Sequence, residues 1–242
     1  MRRAGADHGA VRSLSRDQVR EVDRIAIEEL GLSGPILMEN AGRGAAEAVR
    51  AAVASGELRT ASWRPPTAVL LGGGNNAGDG YVLARHLSNA GWPVLLVETA
   101  PPERLSPDAA LFRAVTAAMG LPHRPAPSAA AFEALGEELA ACELLVDALL
   151  GTGFRGEVRE PLAGIIAAAN ELRAGGRRPL VALDTPSGLD VDSGLPSNAT
   201  VRADLTLTFV APKPGFAAAR AWTGRVRCIA IGAPPGLAER VL

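Results

Sequence analysis

Lysine is almost missing from this chain. Lysine and arginine together number 25 in 242 residues, yet Lys213 is the single lysine. The arginine and alanine bias reflects genome composition. Against it, Lys213 reads either as a chance survivor or as a place where a planar guanidinium cannot replace a compact ammonium. Net charge is also nearly absent, at −1, which leaves no electrostatic footprint for nucleic acid or an anionic membrane. Cysteine is scarce: Cys142 and Cys228 lie in or beside strand-like segments and read as reduced, buried thiols of a cytoplasmic protein rather than a disulfide. The three histidines, His8, His86 and His123, lack metal-ligand spacing. No G-x-S-x-G elbow or Cys–His pattern supports a nucleophilic hydrolase. No apolar run approaches the roughly 18 residues of a membrane helix. The arginine-bearing start, Met1 to Arg16, lacks the apolar stretch of a secretory signal and reads as a frayed tail.

What is present is a core-forming composition, 48% hydrophobic, enough for one large domain over residues 15–242 behind a flexible tail of residues 1–14. Ser15 and Gln18 make a capping box ahead of Val19, Val22, Ile25, Ala26 and Leu30 at helical spacing, and Gly31 stops that helix. A second helix is predicted from Pro35 to Val53. From Thr67 onward, apolar runs at Ala68–Leu71, Pro93–Val97, Leu144–Val146, Leu180–Leu183, Leu205–Val210 and Val226–Ile231 read as strands. Helices are predicted at Gly80–Ala90, Asp108–Met119, Ala131–Ala141 and Pro161–Arg173, and Leu121 to Ser128 reads as a surface loop. Continuous apolar strands alternating with helices imply a mostly parallel sheet covered on both faces.

Three loops that follow strands carry the chemistry: Gly72 to Gly80, Asp147 to Gly156, and Asp184 to Asp192. All strand carboxyl ends of an open parallel sheet share one edge, so these loops converge there. The first offers unhindered backbone N–H groups suited to a phosphate. Gly72, Gly74 and Ala77, with Glu98 further on, partly fit the dinucleotide fingerprint and suggest a nicotinamide-dependent dehydrogenase. That reading leaves Asn75, Asn76 and Asp79 without a role, and Asp79 is predicted as helix N-cap, ligand contact or both. Clustered oxygen donors with few nitrogen or sulfur ones suit a hard cation, not zinc.

The motifs Leu37-Met38-Glu39-Asn40-Ala41-Gly42, Gly74-Asn75-Asn76-Ala77-Gly78-Asp79-Gly80, Asp147-Ala148-Leu149-Leu150-Gly151-Thr152-Gly153, Asp184-Thr185-Pro186-Ser187-Gly188-Leu189-Asp190 and Lys213-Pro214-Gly215 occur in order. Together they resemble the NAD(P)H-hydrate epimerase family, also called the YjeF N-terminal domain family, from about Ser15 to Gly236. Ala77 stands where the family has glycine, and Thr185 where it has isoleucine. The resemblance implies a Rossmann-like three-layer αβα sandwich with N-terminal helices, often a homodimer. It also implies that R and S hydrated NADH or NADPH (NADHX, NADPHX) are interconverted at C6 of the nicotinamide ring. A separate dehydratase would then restore the coenzyme.

By position, Asn76, Asp147 and Ser187 would ligate potassium. Asn75, Asn76, Ala77, Gly78 and Asp79, then Gly151, Thr152, Gly153, Phe154, Arg155, Gly156 and Glu157, and finally Asp184, would contact the coenzyme. Inverting C6 needs hydroxyl loss or ring opening, and so an acid/base group. Asp190, just past the Pro-Ser-Gly turn, is assigned that role, with Asp79 in reserve and Lys213 as its ionic or catalytic partner or as a docking group. The alternatives are a Rossmann-type NAD(P)-dependent oxidoreductase and a non-catalytic nucleotide- or protein-binding module.

Overall fold

Successive strand residues point to opposite faces, and here both faces are apolar. In β1 (Thr67–Leu71), Val69 and Leu71 join one core cluster while Ala68 and Leu70 join another, and all four are fully buried. The other strands are β2 (Val94–Glu98), β3 (His123–Pro125), β4 (Leu144–Ala148), β5 (Leu180–Leu183), β6 (Leu205–Phe209) and β7 (Arg225–Ile229). They form one sheet in the order β3-β2-β1-β4-β5-β6-β7, with every neighbouring pair parallel. The structure is a computed structural model that describes residues 12–176, 178–234 and 236–242.

One face of the sheet carries α1 (Arg16–Arg24), α2 (Gly34–Ala54), α3 (Asn75–Asn89) and α4 (Pro107–Ala118). The other carries α5 (Ala129–Glu133), α6 (Gly136–Ala140) and α7 (Leu162–Gly176). Each leucine or valine enclosed this way is worth roughly 1.5–3 kcal/mol. The three-layer αβα expectation therefore holds. The N-terminal capping box is present, with Ser15 N–H donating to Gln18 Oε1 at 2.9 Å. Beyond Arg24 the helix widens to a π-helical turn, Ile25–Glu29, before Gly31 ends it at φ 72°.

Several details differ from the sequence reading. The stretch predicted as a surface loop contributes β3, a short edge strand. The helix predicted over Ala131–Ala141 is two short helices. Cys142 is a buried free thiol, but Cys228 is exposed on the edge strand. Leu14 is fully buried and its N–H donates to Pro212 at 2.9 Å, so the ordered domain begins before Ser15; residues 1–11 of the expected tail, His8 among them, lie outside the described residues. Most consequential, α3 begins at Asn75 with Gly74 as N-cap. The glycine-rich turn is itself the first turn of the helix, and Asp79 lies inside it rather than capping it. Packing overrides glycine's poor helix propensity: a Cβ on Gly80 would meet Ala148 at 2.8 Å and Leu71 at 2.6 Å.

Candidate active site

Strand order reverses between β1 and β4, and ligands of open parallel sheets bind outside the carboxyl ends at such a switch point. A cavity of about 640 Å³ lies there. Its walls come from α1 and α2, the start of α3, the loop after β4, and the ends of β5 and β6. Two wall residues have left-handed backbone, Asp184 at φ 61° and Val210 at φ 66°. Such conformations cost about 1–3 kcal/mol for a non-glycine residue and concentrate at functional sites.

Asp184 is the chemical centre of this wall. Thr152 donates to its Oδ2 twice, from N–H at 2.7 Å and from the hydroxyl at 2.5 Å, and Lys213 Nζ lies 3.1 Å from Oδ1. Burial opposes ionisation, but the Lys213 ammonium and the Thr152 donors hold the carboxyl below the usual range. Lys213 is 1% exposed, and its Nζ also reaches Thr208 Oγ1, Phe209 O and Ala211 O at 2.7–3.1 Å. A single compact donor serves four acceptors here, a geometry no planar guanidinium fits. The singular lysine thus has a structural reason, and it acts through Asp184 rather than on the cavity.

Three more carboxyls line the same space, Asp79, Asp23 and Asp108. Asp79, in α3, is pushed well above the usual range by burial and then by the charges of Asp184 and Asp23. Asp23, in α1, escaped the sequence reading, although its place one residue past the buried Val22 could have signalled it.

A cluster of oxygen donors adjoins the cavity. Asp147 is fully buried, and burial lifts its carboxyl to about 6 against hydrogen bonds from Ser187 and Leu149 N–H. Ser187 donates its hydroxyl to Asp147 Oδ1 at 2.6 Å, and Asn76 Nδ2 donates to Leu150 O at 3.1 Å. Asn76 Oδ1 is buried without a partner. An orphaned amide oxygen beside a buried carboxylate, a hydroxyl and a backbone carbonyl is a donor set for a hard cation. No group of three or more His, Cys, Asp or Glu suited to a metal occurs among the described residues.

Of the other predicted contacts, Asn75, Asn76, Gly151, Thr152, Gly153 and Phe154 line the cavity. Ala77 and Gly78 do not: Ala77 is fully buried in the core, so its methyl packs against protein, and Gly78 packs on Met38. Arg155, Gly156 and Glu157 line an adjoining recess with Arg104 and Arg159, and the two spaces share Gly73, Leu150, Phe154 and Leu162 as walls.

Asp190 is not brought to the cavity. Its Oδ2 accepts from Arg16 Nη2 at 2.9 Å, and its Oδ1 accepts from Ser193 N–H and hydroxyl at 2.8 Å each. Partial burial works against the charge, yet these donors hold it down to about 2. Asp190 is a docking carboxylate for the helix that Arg16 begins. Arg16, assigned to the frayed tail, is 2% exposed and also donates to Thr152 O at 2.7 Å. Thr185, where isoleucine was expected, buries a hydroxyl with no partner.

The dehydrogenase reading loses its ribose contact. Glu98 is 5% exposed and accepts from Tyr81 (2.8 Å), Arg113 (2.8 Å) and His123 (2.7 Å). Burial opposes its charge, but those donors hold it at about 2. It is fully occupied inside the protein.

A wholly parallel αβα sandwich with its cavity at the β1/β4 switch point is a Rossmann-like domain. The chain belongs to the family described as YjeF-related protein N-terminus, which it matches over residues 34–215. It is 39% identical to an NAD(P)H-hydrate epimerase of Rhodopirellula baltica, over 90% of this chain and 83% of that one. It is 38% identical to the corresponding protein of Pirellula staleyi, over 95% and 96%. A bifunctional NAD(P)H-hydrate repair enzyme of Salinibacter ruber is 39% identical over 94% of this chain, which spans only 42% of that protein. The crystal structure of the yeast protein ynu0 superposes with a TM-score of 0.77 at 25% identity, covering 96% of this chain and 93% of that one.

Proposed function

We propose that this chain is an NAD(P)H-hydrate epimerase, an isomerase that interconverts the R and S forms of hydrated NADH and NADPH at C6. The observation that carries the reading is the cavity at the switch point, where Lys213 and Thr152 hold Asp184 ionised beneath a space of ligand size. Identity of 38–39% to two epimerases over at least 90% of the chain supports the same conclusion. The hydrated ring lies against Asp184, and the rest of the dinucleotide extends past Gly73 and Phe154 into the recess bearing Arg104 and Arg155. Asp184 takes over the acid/base role that the sequence suggested for Asp190, because it faces the cavity and Asp190 does not.

Potassium is the cation that the Asn76, Asp147 and Ser187 donors would hold. When bound, it would supply positive charge that fixes the three loops and attracts the coenzyme phosphates. The epimerase would act as a homodimer in the cytoplasm, in step with a dehydratase; no helix among the described residues is long and apolar enough to cross a membrane. A dehydratase activity alongside an epimerase domain accords with the bifunctional repair enzymes, of which this chain matches less than half.

The test is chromatographic. Separated epimers of acid-hydrated NADH, incubated with the chain, interconvert well above the spontaneous rate, with no change at the reduced-nicotinamide absorbance. Interconversion at the background rate would refute the proposal.

A further inference from the structure

Asp23 is a carboxylate to which the epimerase reading assigns no work. It lies in α1, lines the cavity and is half-buried, with no hydrogen-bond or ion-pair partner among the described residues. Its surroundings are acidic. Asp184 faces it from the end of β5 and Asp79 from α3, while the compensating Lys213 ammonium is committed to Asp184 and three other acceptors. Arg20, on its own helix, and Asp108, at the start of α4, also line the cavity; Arg20 lies 3.9 Å from Asp17. Burial and then the charge of Asp184 push the Asp23 carboxyl up to about 6, against the pull of Lys213. One cavity therefore holds an ionised carboxylate that is fully hydrogen-bonded and, facing it, an unpartnered one that holds its proton up to about pH 6. Two carboxyls with environments that push them apart are the arrangement that lets one act as acid while the other acts as base.

We propose that Asp23 is the general acid of the epimerisation and works in tandem with Asp184. The inference rests on the epimerase reading. Asp23 gives its proton to the C6 hydroxyl as the C6–O bond breaks, and the bonding pair leaves with the oxygen as water. The N1 lone pair forms an N1=C6 bond, so the ring nitrogen carries the positive charge. Water then adds to the other face of C6. Its proton passes to the Asp184 carboxylate, and the N1=C6 pair returns to nitrogen. One water leaves and one enters, one proton leaves Asp23 and one reaches Asp184, and nothing is oxidised. The reverse conversion runs with the roles exchanged, and exchange with solvent resets the pair.

Epimer interconversion is measured in ¹⁸O-labelled water from pH 5 to 9 for the wild-type chain, Asp23→Asn and Asp23→Glu. An acid must carry its proton, so wild-type kcat/KM falls as pH rises through a limb near 6. Asp23→Asn lowers kcat by roughly 10²- to 10⁴-fold, the usual contribution of such a group. It loses the limb, but keeps KM within a few-fold and melts no lower than wild type. Asp23→Glu restores part of the rate and the limb, displaced in pH. Each inversion places one labelled oxygen at C6.

Asp23→Asn with wild-type kcat and an unchanged limb would overturn the acid assignment, and inversion without label would overturn C–O cleavage. Should the asparagine variant not fold, Asp23→Glu decides: a displaced limb supports the proposal and an unmoved limb overturns it. A wild-type chain that fails to accelerate interconversion at all would overturn the epimerase reading itself, an outcome distinct from either.

Discussion

At the scale of single residues, Asp184 and Lys213 form the pair on which the site depends. A carboxyl lowered by its partners stabilises the fold above its unfolded pKa of about 3.9, and that contribution is lost as pH falls through the lower folded value. Removing Lys213 leaves a buried charge without its partner. Lys213→Met is expected to destabilise the fold by about 3–5 kcal/mol at pH 7. The deficit shrinks near pH 4, because Asp184 then takes a proton in the variant. Denaturant unfolding at the two pH values checks this, and an equal deficit at both would contradict it. Rarity alone singled out Lys213 but did not decide between a chance survivor and a required ammonium. Its partner was not legible, because the pairing spans 29 positions and depends on the left-handed turn at Asp184. The placement of Asp190 outside the cavity was hidden for a related reason. An Asp after a Pro-Ser-Gly turn looks the same in sequence whether it points into a cavity or ties down a helix.

At the scale of elements, strands and long helices followed from apolar pattern, and the exceptions have physical causes. The run from Asn75 to Gly80 carries two glycines and two asparagines, so propensity disfavours a helix. It is helical because Gly80 lets α3 sit close on β1 and β4, and Gly78 lets it sit close on α2 and α4. β3 escaped notice because three residues beside prolines make no periodic pattern. The N-terminal helix matters most to function, since it supplies both a cavity wall and Asp23, and Arg16 fastens it to Asp190 and to Thr152 O. Arg16→Met is expected to destabilise the fold by up to about 3 kcal/mol and to raise the coenzyme KM about tenfold. Hydrogen exchange checks the location. Amides of residues 19–24 lose protection in the variant while those of β4 and β5 keep theirs, and uniform loss would show that the arginine serves the whole core instead.

At the scale of the whole molecule, three loops from β1, β4 and β5 meet at one edge, a convergence that parallel topology required before any contact was known. The proposed cation donors Asn76, Asp147 and Ser187 lie where they meet, so an ion held there would couple to coenzyme binding. Replacing potassium by tetramethylammonium is expected to lower both melting temperature and coenzyme affinity, and Asn76→Ala removes that response; an unaltered affinity would count against the ion site. Whether the cavity over Asp184 inverts C6 of hydrated nicotinamide coenzyme is decided by following one purified epimer with the wild-type chain and with Asp184→Asn. The prediction is wild-type interconversion well above background and a loss of at least about 10²-fold in the folded variant. Full activity in Asp184→Asn, or none above background in the wild type, would contradict it.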